Sequence, residues 1–309
     1  MRVKILGSAA GGGFPQWNCA CSNCRRIRHG TFRGKPRTQS QIALTGNGAR
    51  WCLLNASPDL RFQILSCPEL QPKTGVRESP IAAVVLTSAD VDHVAGLLHL
   101  REFQPLRIYS TDSVARVLTE DNSIFRALQQ APDQASWQRI RPGQSFKLEP
   151  DGASTAAICC EPFALPGELP AYAGSDRRNK SAADEAVLGL SLSAPAGKQL
   201  IYAPGVAGVD DPLLARLDAC DVLLFDGTFW SGDELVRVCG SGRTASEMGH
   251  MPISGPKGSL ARLAPLKRPR RIFIHVNNTN PILDEESAER REVVAAGWEV
   301  AEDGWEIAL

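Results

Sequence analysis

The sequence predicts an α/β fold, organised as one continuous domain over residues 1–309. Apolar runs at residues 81–86 and 222–226 are typical of buried strands. Between residues 81 and 118, strand-like and helix-like segments alternate, which is the order of an α/β layer. Strand candidates with helices between them occur in both halves, and neither a repeat nor a low-complexity linker separates the halves. We therefore expect one domain rather than two.

The elements of the first half follow from apolar runs, turn residues and helix caps. Residues 3–6 form a short strand, which ends because residues 7–13 are too rich in glycine for a helix or a strand. The turn at Gly46-Asn47-Gly48 indicates a hairpin of two strands. The predicted elements are, in order, strands at 3–6, 41–44 and 49–55, a helix at 60–66, a strand at 81–86, a helix at 93–103, a strand at 106–109 and a helix capped by Thr111.

The second half contains more strands than helices. Residues 137–164 are divided by Pro-Gly and Asp-Gly turns and predict several strands. Residues 174–184 are charged and polar, which predicts an exposed loop or lid. The remaining predictions are strands at 188–192, 199–203, 222–226 and 272–275, and a helix at 258–263.

The composition argues against several functional classes. Lys plus Arg and Asp plus Glu both total 34, so the net charge is zero, and no global attraction to nucleic acid or an anionic membrane is expected. No stretch approaches the roughly 20 apolar residues that cross a bilayer, and the N-terminal apolar run is too short for a signal peptide. We expect a cytoplasmic protein, in which nine cysteines indicate metal binding or buried thiols rather than disulfides.

Three cysteines within six residues, Cys19, Cys21 and Cys24, predict a metal-binding knot. A loop with this spacing can place three thiolates around one tetrahedral ion, with a fourth ligand from elsewhere in the chain. Three thiolates leave no obvious open position, so we expect a structural zinc ion. The candidates for the fourth ligand are His275 and Asn278, and a group from the glycine loop at residues 7–13 is less favoured. The other six cysteines lie mostly in apolar runs, where buried thiols are the default.

Acidic and imidazole side chains follow the strand at residues 81–86. Asp90, Asp92 and His93 crowd onto one turn, and together they form a candidate metal site. An acidic residue there is also typical of a helix N-terminus, where the helix dipole stabilises it. That explanation suffices for Asp90 alone, whereas the three groups together favour metal binding.

Polar side chains also end two later strands. Asp226 ends the strand at 222–226 and His275 ends the strand at 272–275, and the carboxyl ends of strands are where α/β folds bind ligands. His250 lies in a turn, and Asn277 and Asn280 belong to the polar loop after His275. Of the five histidines, the remaining two, His29 and His99, are expected to be exposed or to serve packing.

In this pattern the chain resembles the metallo-β-lactamase superfamily, whose signature after the same strand is Thr-His-x-His-x-Asp-His. Here residues 87–93 read Thr-Ser-Ala-Asp-Val-Asp-His. The opening at residues 7–19 and the loop at 275–281 resemble, within that superfamily, the B-protein family of pyrroloquinoline quinone (PQQ) biosynthesis. This resemblance spans residues 3–281 and implies an αββα sandwich of two mixed sheets flanked by helices. The cysteine knot is similar to that of the superfamily's phosphonate-pathway phosphodiesterases, where cysteines hold a structural zinc.

Two departures from the superfamily signature affect the expected chemistry. Ser88 and Asp90 replace the first two histidines, and no histidine follows Pro166-Gly167, where the superfamily has another. A hydrolase with two zinc ions would lose most ligands of its first ion. The groups that remain suit ferrous iron and dioxygen better than paired zinc. They are His93, His250 or His275, and the carboxylates Asp90, Asp92 and Asp226.

The resemblance implies oxidation of a tyrosine-derived PQQ precursor. We expect an iron- and dioxygen-dependent hydroxylase of the phenol ring in a Glu-Tyr-derived peptide or dipeptide, with Asn277 and Asn280 hydrogen-bonding the substrate. Two other functions stay open at this point, a carrier for PQQ or its precursor and a single-metal hydrolase. The expected partners are the precursor or PQQ, and other PQQ-pathway proteins and a second copy of the chain are further candidates. Nucleic acid and membranes are not expected to be partners.

Overall fold

The computed structural model describes residues 1–148, 157–194, 196–240 and 242–309. Their contacts group into two compact units, and each unit is assembled from separate stretches of chain. The first unit comprises Met1–Leu6, Gln41–Lys198 and Gly304–Leu309, and the second comprises Gly7–Ser40 and Gln199–Asp303. The chain thus passes between the units several times. The prediction of one domain stays a prediction.

The first unit holds most of the strands. Its strands are β1 (Arg2–Gly7), β2 (Gln41–Thr45), β3 (Trp51–Leu54), β4 (Ile81–Val85), β5 (Leu106–Ser110), β6 (Ala135–Arg139), β7 (Phe146–Leu148), β8 (Ile158–Ala164), β9 (Leu188–Ser193) and β14 (Glu306–Ala308). Its α-helices are α2 (Leu60–Leu65), α3 (Val91–Val94), α4 (Asp112–Thr119) and α5 (Ser175–Lys180). Short 3-10 helices lie at Pro68–Leu70, Ala95–Leu100, Ser123–Gln129, Ala171–Ala173 and Ala183–Glu185.

Seven of these strands form one mixed sheet in the order β14-β1-β2-β3-β4-β5-β6. The pairs β1–β14 and β2–β3 are antiparallel, whereas β3, β4, β5 and β6 are parallel neighbours. Strands β7, β8 and β9 pair in antiparallel fashion. The core of this unit includes Trp51, Leu53, Val84 and Ile108, all fully or almost fully buried, and such burial is the main source of stability.

The second unit contains a parallel arrangement of four strands. These are β10 (Gln199–Ala203), β11 (Val222–Asp226), β12 (Arg270–Ile274) and β13 (Trp298–Val300), each parallel to the next. Its α-helices are α1 (Ser22–Arg28), α6 (Asp211–Asp218), α7 (Glu234–Cys239), α8 (Ser259–Arg262) and α9 (Ala288–Ala295), with 3-10 helices at Ser246–Met248 and Pro281–Leu283. Trp298 stacks on Phe273 with ring centroids 4.1 Å apart, which ties β13 to β12.

The predicted fold class is confirmed. Within the described residues, the strands belong to two seven-stranded sheets, and both sheets contain parallel and antiparallel pairs. The same residues include no helix with both the length and the apolar character that crossing a bilayer requires.

The predicted hairpin is confirmed, and its turn is held by side chains. The hydroxyl of Thr45 accepts a hydrogen bond from the Gly48 amide at 2.9 Å and donates to the Arg50 carbonyl at 2.7 Å. The Asn47 side chain accepts from the Ala49 amide at 2.9 Å. These polar residues stabilise the chain reversal between β2 and β3 through local hydrogen bonds. The turn could therefore be predicted from the sequence of residues 46–48 alone.

The predictions for residues 93–103 and 174–184 need correction. The first segment is not one α-helix, since α3 ends at Val94 and a 3-10 helix follows. The carbonyl of His93 accepts its hydrogen bond from the Ala56 amide at 2.6 Å, a contact that competes with continuing the α-helical ladder. The second segment is not a loop, because α5 occupies much of it. Arg177 in α5 forms ion pairs with Glu120 and Asp121. The charged residues of this segment therefore belong to a surface helix.

The strands predicted within residues 137–164 are confirmed as β6, β7 and β8, although β6 begins at Ala135. The Asp-Gly turn predicted at residues 151–152 lies outside the described residues.

Gly96 positions the turn that carries His93. Its amide donates to the Ala56 carbonyl at 2.8 Å, and a Cβ added there would lie 2.1 Å from the Ser57 carbonyl oxygen. We expect Gly96→Ala to lower the free energy of unfolding by about 3 kcal/mol, because backbone must move to admit the methyl group. Gly208→Ala, where no atom lies within 4 Å of the added Cβ, should change it by less than about 0.5 kcal/mol. Urea unfolding of both variants measures this, and equal stabilities would contradict the account.

Candidate metal centres

A buried carboxylate organises the second unit at the end of β11. Asp226 is fully buried. Its Oδ1 accepts hydrogen bonds from the amide of Thr228 at 3.0 Å and from the hydroxyl of Thr228 at 2.6 Å. Its Oδ2 accepts from the Val206 amide at 2.8 Å and lies 2.6 Å from Nδ1 of His250. These four contacts replace the hydration that the carboxylate loses on burial.

The same contacts keep Asp226 ionised. Burial raises the pKa of a carboxyl group, but the charge and hydrogen bond of His250, the nearby His275 and the Thr228 hydroxyl outweigh it. The pKa of Asp226 therefore lies below its usual range. A permanent negative charge beside two imidazoles is the electrostatic setting of a cation site.

Two histidines face this carboxylate and its threonine. The rings of His250 and His275 stack with centroids 5.5 Å apart, and Thr228 Oγ1 lies 3.2 Å from Nδ1 of His250 and 2.9 Å from Nδ1 of His275. One ligand atom from each of Asp226, His250 and His275 lies within 4.8 Å of the others. The predicted residues Asp226, His250 and His275 are thus brought together, and they could hold one divalent ion.

The strand arrangement explains this convergence. Strands β11 and β12 are parallel neighbours with Asp226 opposite Ile274, so Asp226 and His275 emerge at the same edge. Gly227 is required between them, because a Cβ there would lie 2.9 Å from Cβ of Phe273. His275 itself has a φ of 61°, a conformation that is uncommon for a residue other than glycine and that often marks a functional site.

The three cysteines of the predicted knot also converge in this unit. The sulfur atoms of Cys19, Cys21 and Cys24 lie within 4.8 Å of one another. The side-chain amide of Asn278 lies 3.2 Å, 3.7 Å and 3.3 Å from those sulfurs, respectively. Of the two residues considered for a fourth ligand, Asn278 contacts the cysteines, whereas His275 groups with Asp226 and His250. Three thiolates supply three of the four donors of a tetrahedral structural zinc site.

The environment of the cysteines differs from one to the next. Burial raises the pKa of the Cys21 thiol to about 12. Burial also acts on Cys19, but hydrogen bonds from the Cys21 amide and from neighbouring side chains outweigh it, so the pKa of that thiol falls below its usual value. The pKa of Cys19 therefore lies below that of Cys21.

The asparagine-rich loop that follows His275, residues 277–280, is hydrogen-bonded to α7 through Glu234. Asn277 donates to the Thr279 hydroxyl at 2.6 Å, and that hydroxyl donates to Glu234 at 2.5 Å. Glu234 is almost fully buried and also accepts from the Trp230 amide at 2.5 Å. These hydrogen bonds tie the loop to α7.

Asn280 serves the same loop. It is fully buried, its amide donates to the carbonyls of Gly227 and Thr228 at 3.0 and 3.2 Å, and its oxygen accepts from the Ile282 amide at 3.0 Å. These are the contacts of a loop anchor. Substrate binding by Asn277 and Asn280 stays a prediction.

The acidic–histidine turn lies in the first unit, after β4. Ser88 Oγ donates to Asp90 at 2.7 Å and lies 2.8 Å from Nδ1 of His93. Asp90 occupies the N-cap position of α3, yet its side chain makes no cap hydrogen bond. Asp92 is half-buried in the first turn of that helix. Asp90 therefore orients Ser88 rather than capping the helix.

Sequence reasoning missed Thr228 and Glu234. Thr228 follows Asp226 by two residues, and a hydroxyl at that spacing after a strand-ending carboxylate was a usable signal. Glu234 carries no such signal, because its contact with Thr279 joins residues 45 positions apart.

Comparison with known proteins assigns the family. Residues 50–276 match the beta-lactamase superfamily domain. The chain is 44% identical to coenzyme PQQ synthesis protein B of Nitrosococcus oceani and 45% identical to that of Methylobacterium sp. (strain 4-46), and in both cases the match covers 100% of each chain. The chain belongs to the coenzyme PQQ synthesis protein B family. A crystal structure of zinc-bound PqqB from Methylobacterium extorquens is 45% identical, covers 100% of both chains and superimposes with a TM-score of 0.91.

Members of this family share the metallo-β-lactamase fold, which the chain therefore has. A diphosphatase of the PhnP family covers 100% of this chain and 97% of its own, with a TM-score of 0.65 but 18% identity. That likeness concerns the fold alone.

Glu234 should give this family member a pH-dependent stability. Burial raises its pKa to about 7, above the value of about 4.3 for an exposed glutamate. Between these pH values the folded state keeps the proton and the unfolded state loses it, so this group makes the free energy of unfolding fall as pH rises. The loss is up to about 4 kcal/mol and is complete about one pH unit above the folded-state pKa.

We expect Glu234→Gln to remove that fall, measured by urea unfolding at intervals from pH 4.5 to 8. The matched control is Glu247→Gln, since Glu247 is exposed and its pKa is lowered by hydrogen bonds from Thr244. This control should keep the wild-type slope. Parallel profiles for wild type and Glu234→Gln would contradict the assignment.

Proposed function

We propose that this chain acts in PQQ synthesis as a metal- and dioxygen-dependent hydroxylase of the tyrosine ring in a Glu-Tyr-derived precursor. The pathway is supported by 44–45% identity, over the full length, to proteins named coenzyme PQQ synthesis protein B. The reaction class is supported by one observation, the grouping of Asp226, His250 and His275.

The donor set fits a redox-active divalent ion. His250 and His275 would hold the ion, and Asp226 would balance its charge from beside the imidazoles. Neutral imidazoles are good ligands for first-row divalent ions, iron among them, and ferrous iron bound there would supply the electron transfer that lets dioxygen react with a phenol. The turn at residues 87–93 lacks two of the histidines of the superfamily signature. It therefore cannot supply the histidine ligands of the superfamily's first zinc ion.

Side chains around the two histidines would orient the imidazole rings and shield one side of the centre from solvent. Asp226 and Thr228 fix both imidazole rings through Nδ1. Phe229 lies edge-on to His250 with centroids 6.0 Å apart and provides an apolar wall. In the overall reaction one atom of dioxygen replaces a ring hydrogen as hydroxyl. The other atom leaves as water, with two electrons from an added reductant and two protons.

We also propose that Cys19, Cys21 and Cys24, with Asn278, hold a structural zinc ion. The support is the contact of the Asn278 amide with all three sulfurs. Asn23 adds hydrogen bonds to the carbonyls of Asn278 and Asn280 at 3.2 and 3.0 Å. A zinc ion would therefore fasten the start of α1 to the loop that follows His275 and stiffen the centre next to it.

The hydroxylase is tested by anaerobic reconstitution with ferrous iron. A Glu-Tyr dipeptide and ascorbate are added, labelled dioxygen is admitted, and the product is analysed by mass spectrometry. We expect one labelled oxygen atom in the tyrosine ring. His275→Ala and His250→Ala should reduce the product to the level of a blank without protein, because each removes an imidazole from the centre.

Matched controls come from the exposed histidines. His29→Ala in the second unit and His99→Ala in the first should keep the wild-type yield. We propose that His93, Asp90 and Asp92 serve the same reaction, so His93→Ala should lose product where His99→Ala does not. Tight binding of PQQ without oxygen incorporation would instead favour a carrier, and cleavage of the peptide bond would favour a hydrolase.

A further inference from the structure

We propose that Thr228 is a positioning residue that selects the tautomer of His275, so that its Nδ1 carries the proton and its Nε2 carries the lone pair. This deepens the proposed function and rests on it, since the lone pair on Nε2 is what would bind the metal. Thr228 would touch neither metal nor substrate and would act through His275.

The hydroxyl of Thr228 has a single proton to donate. That hydroxyl lies 2.6 Å from Oδ1 of Asp226, 2.9 Å from Nδ1 of His275 and 3.0 Å from the backbone carbonyl oxygen of His275, and it can donate to only one of these atoms. Oδ1 of Asp226 is the nearest of these atoms, and both oxygens of Asp226 already accept hydrogen bonds from backbone amides, so the hydroxyl donates to the carboxylate. The oxygen of Thr228 must then accept from His275, which places a proton on Nδ1.

The opposite arrangement leaves a conflict at Asp226. If the hydroxyl donated to an unprotonated Nδ1 of His275, its lone pairs would face the carboxylate oxygen at 2.6 Å. Asp226 is fully buried and has no water to repair that loss. The carboxylate therefore determines the His275 tautomer through a hydroxyl placed between them.

His250 is oriented by the same carboxylate without an intermediary. Its Nδ1 lies 2.6 Å from Oδ2 of Asp226, which makes Nδ1 the donor and Nε2 the coordinating nitrogen. Both imidazoles are thus presented in the form that binds a metal, since a ring nitrogen coordinates only when it is unprotonated. Asp226 thus sets the protonation of both imidazoles, of His250 by a direct hydrogen bond and of His275 through the hydroxyl of Thr228.

Thr228 is itself held in place from its backbone. Its amide donates to Asp226 at 3.0 Å, and its carbonyl accepts from the Asn277 amide at 3.0 Å and from the Asn280 side chain at 3.2 Å. Its β-branched side chain has few accessible rotamers. The hydroxyl is therefore fixed, which a relay between two groups requires.

The tautomer is measured directly in the metal-free centre by NMR of protein labelled with ¹⁵N in histidine, above the pH at which the imidazoles are protonated. The chain has only five histidines, and His275→Ala assigns the signal. Two-bond couplings between ring protons and nitrogens distinguish the two neutral tautomers. We expect His275 as the Nδ1–H form, and an Nε2–H form in the wild-type protein would overturn the proposal.

Two variants of Thr228 test the relay itself. Thr228→Val keeps the shape and removes the hydroxyl, so His275 should lose its fixed Nδ1–H form and the protein should bind Fe²⁺ roughly 10- to 100-fold more weakly. Thr228→Ser restores the hydroxyl and should recover both the tautomer and the affinity to within a few-fold. If Thr228→Val retains the Nδ1–H form and the wild-type affinity, Thr228 has no such role.

These outcomes separate this proposal from the hydroxylase. An Nδ1–H tautomer that depends on Thr228, together with no oxygen incorporation, would support the relay and count against the hydroxylase. Should Thr228→Val fail to fold, the wild-type spectrum and the Thr228→Ser variant still decide the matter, because loss of the Nδ1–H form in either contradicts the relay.

Discussion

The ionised carboxylate of Asp226 is the group on which the centre in the second unit depends. A buried charge is tolerated only where hydrogen bonds replace water, and Asp226 obtains its hydrogen bonds from Val206, Thr228 and His250. The hydrogen bonds that stabilise this one buried carboxylate therefore hold together three segments of the chain, those that carry Val206, Thr228 and His250. His275 joins them through Thr228. The geometry of the candidate metal centre is in this sense a consequence of burying one aspartate at the end of β11.

A similar combination of groups occurs in the first unit. There Ser88 donates to Asp90 and lies next to Nδ1 of His93. A hydroxyl thus lies between a carboxylate and an imidazole, as Thr228 lies between Asp226 and His275. Asp90 is only half-buried, and its hold on the hydroxyl is correspondingly weaker. Ser88 stands where the superfamily has a histidine, and a hydroxyl there orients an imidazole instead of adding a ligand. This exchange removes an imidazole from the turn without changing the fold that carries it.

The sequence was informative where the signal is local and less so where it is not. Buried strands such as β11 and β12 contain short apolar runs, and the polar residues that end these runs pointed to Asp226 and His275, which the structure brings together. The helix predicted after His93 was wrong in extent, because the His93 carbonyl bonds to Ala56 from a distant part of the chain. The exposed loop or lid predicted at residues 174–184 is in large part a helix, because charge indicates solvent exposure and does not distinguish a loop from a surface helix. The grouping of His275 with His250, and of Asn278 with the cysteines, depends on long-range packing that periodicity does not encode.

The central claim is that the imidazoles of His250 and His275, prepared by Asp226, form the redox metal centre, while the cysteines hold zinc. Anomalous X-ray diffraction, recorded at the iron and zinc edges from crystals loaded anaerobically with one equivalent of Fe²⁺, tests this most directly. The account predicts an iron peak within bonding distance of His250 and His275, and a zinc peak among Cys19, Cys21 and Cys24. An iron peak at the cysteines, or no iron at the two histidines, would contradict it.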